Sequence, residues 1–311
     1  TGIVRDKQGR KMSKSLGNSP DLLALIDVYG ADAVRFGIMI SSPAGNDILF
    51  DESALEQGRN FNNKLWNVLK LIQGWEKRID TNLDAQNEKF AMDWFENRLS
   101  QVQQEVDVLL NGFKLSEALK TIYSLIWDDY CSWYLEWIKP GFEQPISKEV
   151  YDKTVHYLNE MMHMLHPFMP FITEEIYHLI SPKQDDLCNK MAASVKQSNP
   201  EIVAGGELLK QVISALRDAR NKNQLKPKDT ITLHIQTGKT ATYKAIESIL
   251  CKQVNATSIA YTNSSIDNTI VVAVEKDKFF IETSIELDAT ALKATLLADL
   301  AYQKGFLESV T

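Results

Sequence analysis

Three cysteines in 311 residues, Cys131, Cys188 and Cys251, stand too far apart for the paired thiol or thiol–imidazole spacing of a zinc site. Three unpaired thiols suit a reducing cytoplasm rather than a disulfide-stapled secreted scaffold. Long apolar runs are scarce as well: none reaches the ~18 residues a membrane helix needs, and no basic-then-apolar leader opens the chain. Excess positive charge is also missing. A net charge of −7 argues against a protein that coats nucleic acid indiscriminately, because such binding is mostly phosphate neutralisation by Lys and Arg. What is left, 44% hydrophobic and 24% charged residues, is enough for two or three globular domains. The expectation is a cytoplasmic monomer without a membrane partner.

Local charge is less even than the total. Residues 1 to 20 hold Arg5, Lys7, Arg10, Lys11 and Lys14 against Asp6 alone, and residues 205 to 230 hold Lys210, Arg217, Arg220, Lys222, Lys226 and Lys228 against Glu207, Asp218 and Asp229. Phosphate contacts are expected at these two patches, although a basic helix face is often only solvated. Within the first patch lies Gly9-Arg10-Lys11-Met12-Ser13-Lys14-Ser15-Leu16-Gly17-Asn18. Two ammonium groups three positions apart, with two hydroxyls and a following glycine, suit a mobile loop that closes over a triphosphate and neutralises charge developing there.

The run Lys11 to Ser15 resembles the second signature of class I aminoacyl-tRNA synthetases. Its surroundings, Tyr29-Gly30-Ala31-Asp32-Ala33-Val34-Arg35-Phe36 and Pro43-Ala44-Gly45-Asn46-Asp47-Ile48, are similar to the valine, isoleucine and leucine enzymes. Arg59-Asn60-Phe61-Asn62-Asn63-Lys64-Leu65-Trp66-Asn67 narrows this to the bacterial-type valyl branch, with which Trp133 to Glu136 and Leu165 to Ile176 agree. No segment resembles the family's nucleotide-binding sheet or its inserted editing domain, so the chain looks like the carboxy-terminal part of such an enzyme and is expected to be inactive alone. The resemblance implies ATP (with Mg in the complete enzyme), valine and a valine-specific tRNA as partners. It implies that Lys14, supported by Lys11, reaches the ATP phosphates, with Ser13 and Ser15 as hydroxyl donors or loop caps. A fragment of an isoleucyl or leucyl relative, or a free-standing helical RNA- or partner-binding module without catalysis, stands as the alternative.

Periodicity predicts a mainly α chain. Ser19 and Pro20 read as the start of a short helix that Gly30 stops, and a second helix covers Ala31 to Met39. Ser53 and Glu56 have capping-box spacing before a long helix with Leu55, Phe61, Leu65, Leu69 and Ile72 on one side. Further stripes are Leu99, Val102, Val106, Leu109 and Phe113; then Leu119, Ile122, Ile126, Tyr130, Trp133 and Trp137; then Val155, Leu158, Met162 and Leu165. Thr173 to Ile180 reads as a separate short helix after Pro167 and Pro170.

The expected domains are 1–30 (the loop and a connecting segment of the catalytic domain), 31–200 (an antiparallel helical anticodon-binding bundle), 205–286 (a small α/β module) and 288–311 (the start of a coiled-coil arm, on Ala289, Leu292, Leu296, Leu300, Gln303 and Leu307). In the module, a helix carries Leu209, Val212, Ile213 and Leu216, a strand carries Ile231, Leu233 and Ile235, and another helix covers Ala241 to Val254. A hairpin joins Thr269–Val274 to Phe279–Ile285 around Lys276 to Lys278.

RNA reading needs splayed bases stacked on flat or apolar groups. By resemblance, the anticodon contacts map near Ser53 and Leu71, Ser53 being a departure because relatives can carry arginine there. Arg59, Asn63 and Lys64 on the same helix, and Arg217 and Arg220 in the second basic patch, complete the candidate tRNA-binding set. Trp127, Trp133, Tyr134 and Trp137 read as core rather than as a stacking platform. His163 and His166 have a metal-compatible offset but no third ligand at recognisable spacing, so no metal is expected.

Overall fold

The computed structural model describes residues 2–42, 45–180, 185–191 and 196–283, and the chain divides into two compact units between Ala204 and Gly205. The first unit is mainly α. At its start β1 (Val4–Arg5) pairs in parallel with β2 (Ile48–Leu49), so the loop between them is anchored at both ends.

Asp21, not Ser19, caps α1 (Leu22–Tyr29): its carboxylate accepts the Leu23 amide at 2.9 Å. Gly30, at φ 88°, ends α1 and leads directly into α2 (Ala31–Ile40). The same correction applies to α3 (Glu52–Glu76), which is capped by Asp51 accepting from the Ser53 amide at 2.9 Å; Ser53 lies inside the helix and the Ser53–Glu56 box does not form. A carboxylate in the extended position just ahead of a helix satisfies the same orphan amides and adds charge complementary to the helix dipole.

The apolar side of α3 is as its spacing predicts, with Leu55, Phe61, Leu65, Leu69 and Ile72 all buried. Its crossing with α2 is unusually close because two glycines sit in it: a Cβ at Gly58 would lie 2.7 Å from the Ala33 carbonyl oxygen, and one at Gly37 would lie 2.8 Å from the Leu55 amide nitrogen. Either methyl would force the helices apart.

α4 (Lys89–Asn111) buries Leu99, Val102 and Val106, but Phe113 leaves the stripe. Past Gly112 the chain turns: Phe113 sits at φ 55° and 85% exposed, while the Lys114 amide bonds the Leu109 carbonyl and the Phe113 amide bonds the Leu110 carbonyl. This is a Schellman ending with phenylalanine in the left-handed position usually given to glycine.

The next helix departs further from its expected register. α5 (Leu115–Ser124) runs into a π-helical stretch, Leu125–Tyr134, and resumes as α6 (Leu135–Ile138). Because i→i+5 bonding advances the pattern, the buried set is Tyr130, Tyr134 and Trp137, while Trp133 is only half-buried. Tyr134 donates its hydroxyl to Thr154 Oγ1 at 2.9 Å, Thr154 donates in turn to the Val150 carbonyl, and the Tyr130 hydroxyl donates to the Thr154 carbonyl at 3.0 Å. Trp94, Phe95 and Tyr157 close this aromatic core, and Tyr157 donates to the Met92 carbonyl at 3.0 Å.

A parallel pair, β3 (Ile79–Asp80) with β4 (Ile146–Ser147), precedes α7 (Lys148–Leu165). Leu158, Met162 and Leu165 are buried on α7 and Val155 is half-buried. α8 spans Pro170–Ile180, three residues earlier than its spacing suggested, since proline is tolerated in a first turn that has no amide partner to lose.

α9 (Pro200–Lys222) leads into the second unit, with Leu209, Val212, Ile213 and Leu216 buried. There β5 (Ile231–Gln236), α10 (Thr240–Val254) and β6 (Ala256–Tyr261) form a parallel βαβ unit, and β7 (Ile270–Val274) returns through β8 (Asp277–Glu282), giving the order β6-β5-β8-β7. The hairpin turn is tighter than expected, since Asp277 and Lys278 already belong to β8. Residues 284–311, including the expected coiled-coil start, lie outside the described residues.

Candidate phosphate loop and nucleic-acid surface

The Lys11–Ser15 run is built as a braced turn on a short hairpin. Met12 donates its amide to the Val4 carbonyl at 2.9 Å, and Asp6 and Arg10 close the hairpin. Asn18 is the brace: its side-chain oxygen accepts the Ser13 amide at 2.9 Å, while its amide nitrogen donates to Asp6 at 2.9 Å and to the Lys11 carbonyl at 3.2 Å. The Asn18 bond, aided by Arg10 and opposed by burial, holds the Asp6 carboxyl down at about 2, so Asp6 is ionised across the working range.

Ser13 caps the 3-10 turn Lys14–Leu16, accepting the Leu16 amide at 3.3 Å, and its hydroxyl lies 3.1 Å from that of Ser15. Gly17 closes the turn at φ 66°, the left-handed conformation that favours glycine. Both serines are therefore engaged with the loop itself. Lys11 and Lys14 are exposed, and neither ammonium has a partner among the described residues. An open hollow of about 540 Å³ beside the hairpin is lined by residues such as Lys7, Arg10, Met12, Asn18 and Phe50, but not by the two lysines.

Asp32 and Arg35 on α2 join the loop region to the helical core. Asp32 accepts the Phe171 and Ile172 amides at 3.3 and 2.6 Å and so caps α8, while burial raises its pKa against those two bonds. Arg35 donates to the Pro167 and Phe168 carbonyls at 2.9 and 3.1 Å. The two side chains fix the joint between α7 and α8.

The α3 candidates form a line rather than a cluster. Ser53 and Leu71, eighteen positions apart, lie on the same face about five turns and about 27 Å from each other. Lys64 is near that face, its ammonium 5.3 Å from the Trp127 ring centroid; Trp127 stacks on Tyr123 at 5.6 Å, and Tyr123 touches Phe61 edge-on at 4.9 Å. Arg59 and Asn63 face a different side, Arg59 lying over the Tyr29 ring at 5.5 Å and reaching Glu56 at 3.4 Å. Tyr123 did not figure in the sequence reading. Together with the half-buried Trp127 it provides a flat aromatic surface beside Lys64, Tyr123 coming from the end of α5 and Trp127 from the start of the π-helical stretch.

In the second unit Arg217 is exposed and bonds Gln253 at 2.7 Å on the rim of a hollow of about 380 Å³. Arg220 does not belong with it. Its guanidinium is 4% exposed and donates to the carbonyls of Val254, Lys226 (2.7 Å), Pro227 (3.4 Å) and Asp229 (2.7 Å), so it holds the 226–229 loop against the end of α10 and is withdrawn from RNA contact. His163 and His166 also diverge: His163 bonds the Lys190 carbonyl at 2.9 Å and His166 bonds Thr173 at 2.8 Å.

Residues 1–51 match the family model of class I tRNA synthetases (I, L, M and V), and residues 93–235 match that of the anticodon-binding domain of tRNA ligase. The chain is 43% identical over its full length to the valine–tRNA ligase of Phocaeicola vulgatus and 39% to that of Parabacteroides distasonis, spanning 35% of each relative. The valine–tRNA ligase of Bacillus licheniformis is 36% identical over 76% of the chain and 28% of its own length. No helix among the described residues is long and apolar enough to cross a membrane.

Proposed function

The chain belongs to the class I tRNA synthetases, on the side of the valine–tRNA ligases, and from that premise we propose that it provides the phosphate loop and anticodon-binding bundle of an enzyme joining valine to its tRNA at the expense of ATP. One observation carries the catalytic half: two ammonium groups without a partner among the described residues sit on a turn whose serine hydroxyls and bracing carboxylate are engaged within the loop. Such a turn presents positive charge at little further ordering cost. Lys14, supported by Lys11, stabilises the charge that develops on the phosphates as pyrophosphate leaves, a contribution of about 3 kcal/mol in a closed, water-poor site. Ser13 and Ser15 keep the lysines in place.

Magnesium does not fit this loop. Asp6, the carboxylate that braces it, is occupied by Asn18 and Arg10 and is not free to hold the ion.

For the RNA half, the Ser53–Lys64–Leu71 line along α3 and the Tyr123–Trp127 surface are the groups we assign to the anticodon, with Arg217 as a backbone contact. Ser53, Asn63 and Leu71 belong to that reading, and Arg59 is a weaker member because Tyr29 and Glu56 already hold it. The isolated chain is expected to retain weakened tRNA binding without valine-dependent exchange of pyrophosphate into ATP. A gel-shift series comparing valine tRNA with an anticodon-altered version tests the assignment: tighter binding of the native anticodon is expected, and equal affinity removes anticodon reading from these helices.

A further inference from the structure

We propose that Glu174, His178 and Asp186 form a binding site for one divalent transition-metal ion of the zinc class, separate from the phosphate loop and the α3 surface. Glu174 and His178 are four positions apart on one face of α8, and Asp186 is brought to them just ahead of the short 3-10 turn Leu187–Asn189. One ligand atom from each residue lies within 4.8 Å of the others.

The convergence leaves one imidazole nitrogen to be shared between two carboxylates. His178 Nε2 stands 3.0 Å from Glu174 Oε1 and 3.3 Å from Asp186 Oδ1, yet a neutral imidazole nitrogen carries at most one proton and that proton has one axis. Two carboxylates therefore compete for one donor and repel each other. A divalent cation among them would accept the imidazole lone pair and both oxygens, and would cancel the charge of both carboxylates.

The surroundings are those of an oriented ligand set. Glu174 Oε1 also accepts the Leu187 amide at 2.7 Å, which fixes the carboxylate plane and links it to the Asp186 backbone next in sequence. His166 bonds Thr173 through Nδ1 at 2.8 Å, and its other nitrogen, Nε2, lies 3.8 Å from Glu174 Oε2, where it can steady that carboxylate or complete a fourth position. The His178 ring is packed edge-on against Tyr177, with centroids 5.5 Å apart. With the His178 and Glu174 side chains 36% and 26% exposed and Asp186 65% exposed, the site is open to a metal from solvent on one side. An ion there would fasten the 185–190 segment to α8. Sequence spacing does not reveal this group, because its third ligand comes eight positions after His178, beyond the end of the helix.

The site is tested on the untagged chain carrying Cys188→Ser, so that the exposed thiol cannot be the binder, by zinc titration calorimetry and by the visible spectrum after adding one equivalent of cobalt(II). One zinc per chain and a cobalt ligand-field band are expected. His178→Gln and Asp186→Asn should each weaken zinc binding at least about tenfold, and His163→Gln should leave it unchanged. Absence of stoichiometric binding, or binding unaffected by His178→Gln, overturns the proposal. If His178→Gln fails to fold, the cobalt spectrum decides alone, and a spectrum of hexaaquo cobalt overturns it equally.

Discussion

The amino-terminal loop and the corner between α9 and α10 both gather positive charge, and they use it in opposite ways. In the loop the backbone and the small polar side chains satisfy one another, and the ammonium groups of Lys11 and Lys14 are left to solvent. At the corner a buried guanidinium donates to the carbonyls of Val254, Lys226, Pro227 and Asp229, and the Asn255 side chain shares the same loop. Whether a cation serves as a ligand-binding group or as part of the scaffold is decided by what else is available to the neighbouring carbonyls.

The sharpest way to break this contrast is to truncate one cation from each region. Lys14→Ala in the complete enzyme should slow valine-dependent exchange of pyrophosphate into ATP about 10²–10³-fold with the thermal midpoint unchanged. A fall in stability without loss of rate would make Lys14 a scaffold residue after all. Arg220→Met should behave in reverse, lowering the unfolding free energy by about 3 kcal/mol in denaturant titrations because a buried guanidinium and its bonds to four carbonyls are lost together. Weakened RNA binding with intact stability would return Arg220 to the binding surface.

An intermediate case sharpens the comparison. Lys153 and Lys196 reach the two oxygens of Glu96 at 2.7 and 2.8 Å; burial pushes that carboxyl up, but the two ammonium groups override it and hold it at about 2, against 4.5 ordinarily. Since the folded pKa is depressed, the stabilisation is complete above about 4.5 and is lost as pH falls toward 2. Glu96→Gln should remove that part of the acid dependence, about 1 kcal/mol after solvent screening, measured by urea unfolding at pH 6 and pH 3. The smallest effect is expected from Arg217→Ala: a few-fold loss of tRNA affinity, equal across anticodon variants, with the salt slope reduced by about 1.

The helices were legible because their stripes are strong. Leu55 to Ile72, Leu99 to Val106 and Leu209 to Leu216 all bury as their spacing predicts. Three features were hidden, each for a physical reason. The π-helical stretch is a property of hydrogen-bond register, which residue type barely encodes, so Tyr134 rather than Trp133 lies between Tyr130 and Trp137 in the buried stripe. The caps fell to Asp51 and Asp21 because a stronger acceptor stood one or two positions from the expected start. β6 is an edge strand with a half-buried pattern, and its residues Ala256 to Tyr261 carry no clean alternation.

The candidate site divides the same way. Lys11 and Lys14 could be named from the run itself, but Asn18 could not, since its role depends on Asp6, Lys11 and Ser13 meeting around one amide. Trp127 reads as core from its spacing, yet it lies half-buried beside Lys64 and stacks on Tyr123, a residue the sequence did not single out.

Apolar periodicity was enough, by itself, to specify a mainly helical chain, and the composition of the lysine-serine run was enough to single it out as the candidate phosphate loop, because both are local patterns of residue type. The assignment of Arg220 to the scaffold, the placing of Asp32 under α8 and the meeting of His178 with two carboxylates were decided only by the tertiary structure. Each depends on groups from different elements competing for the same donors and acceptors, and that competition exists only once the chain has folded.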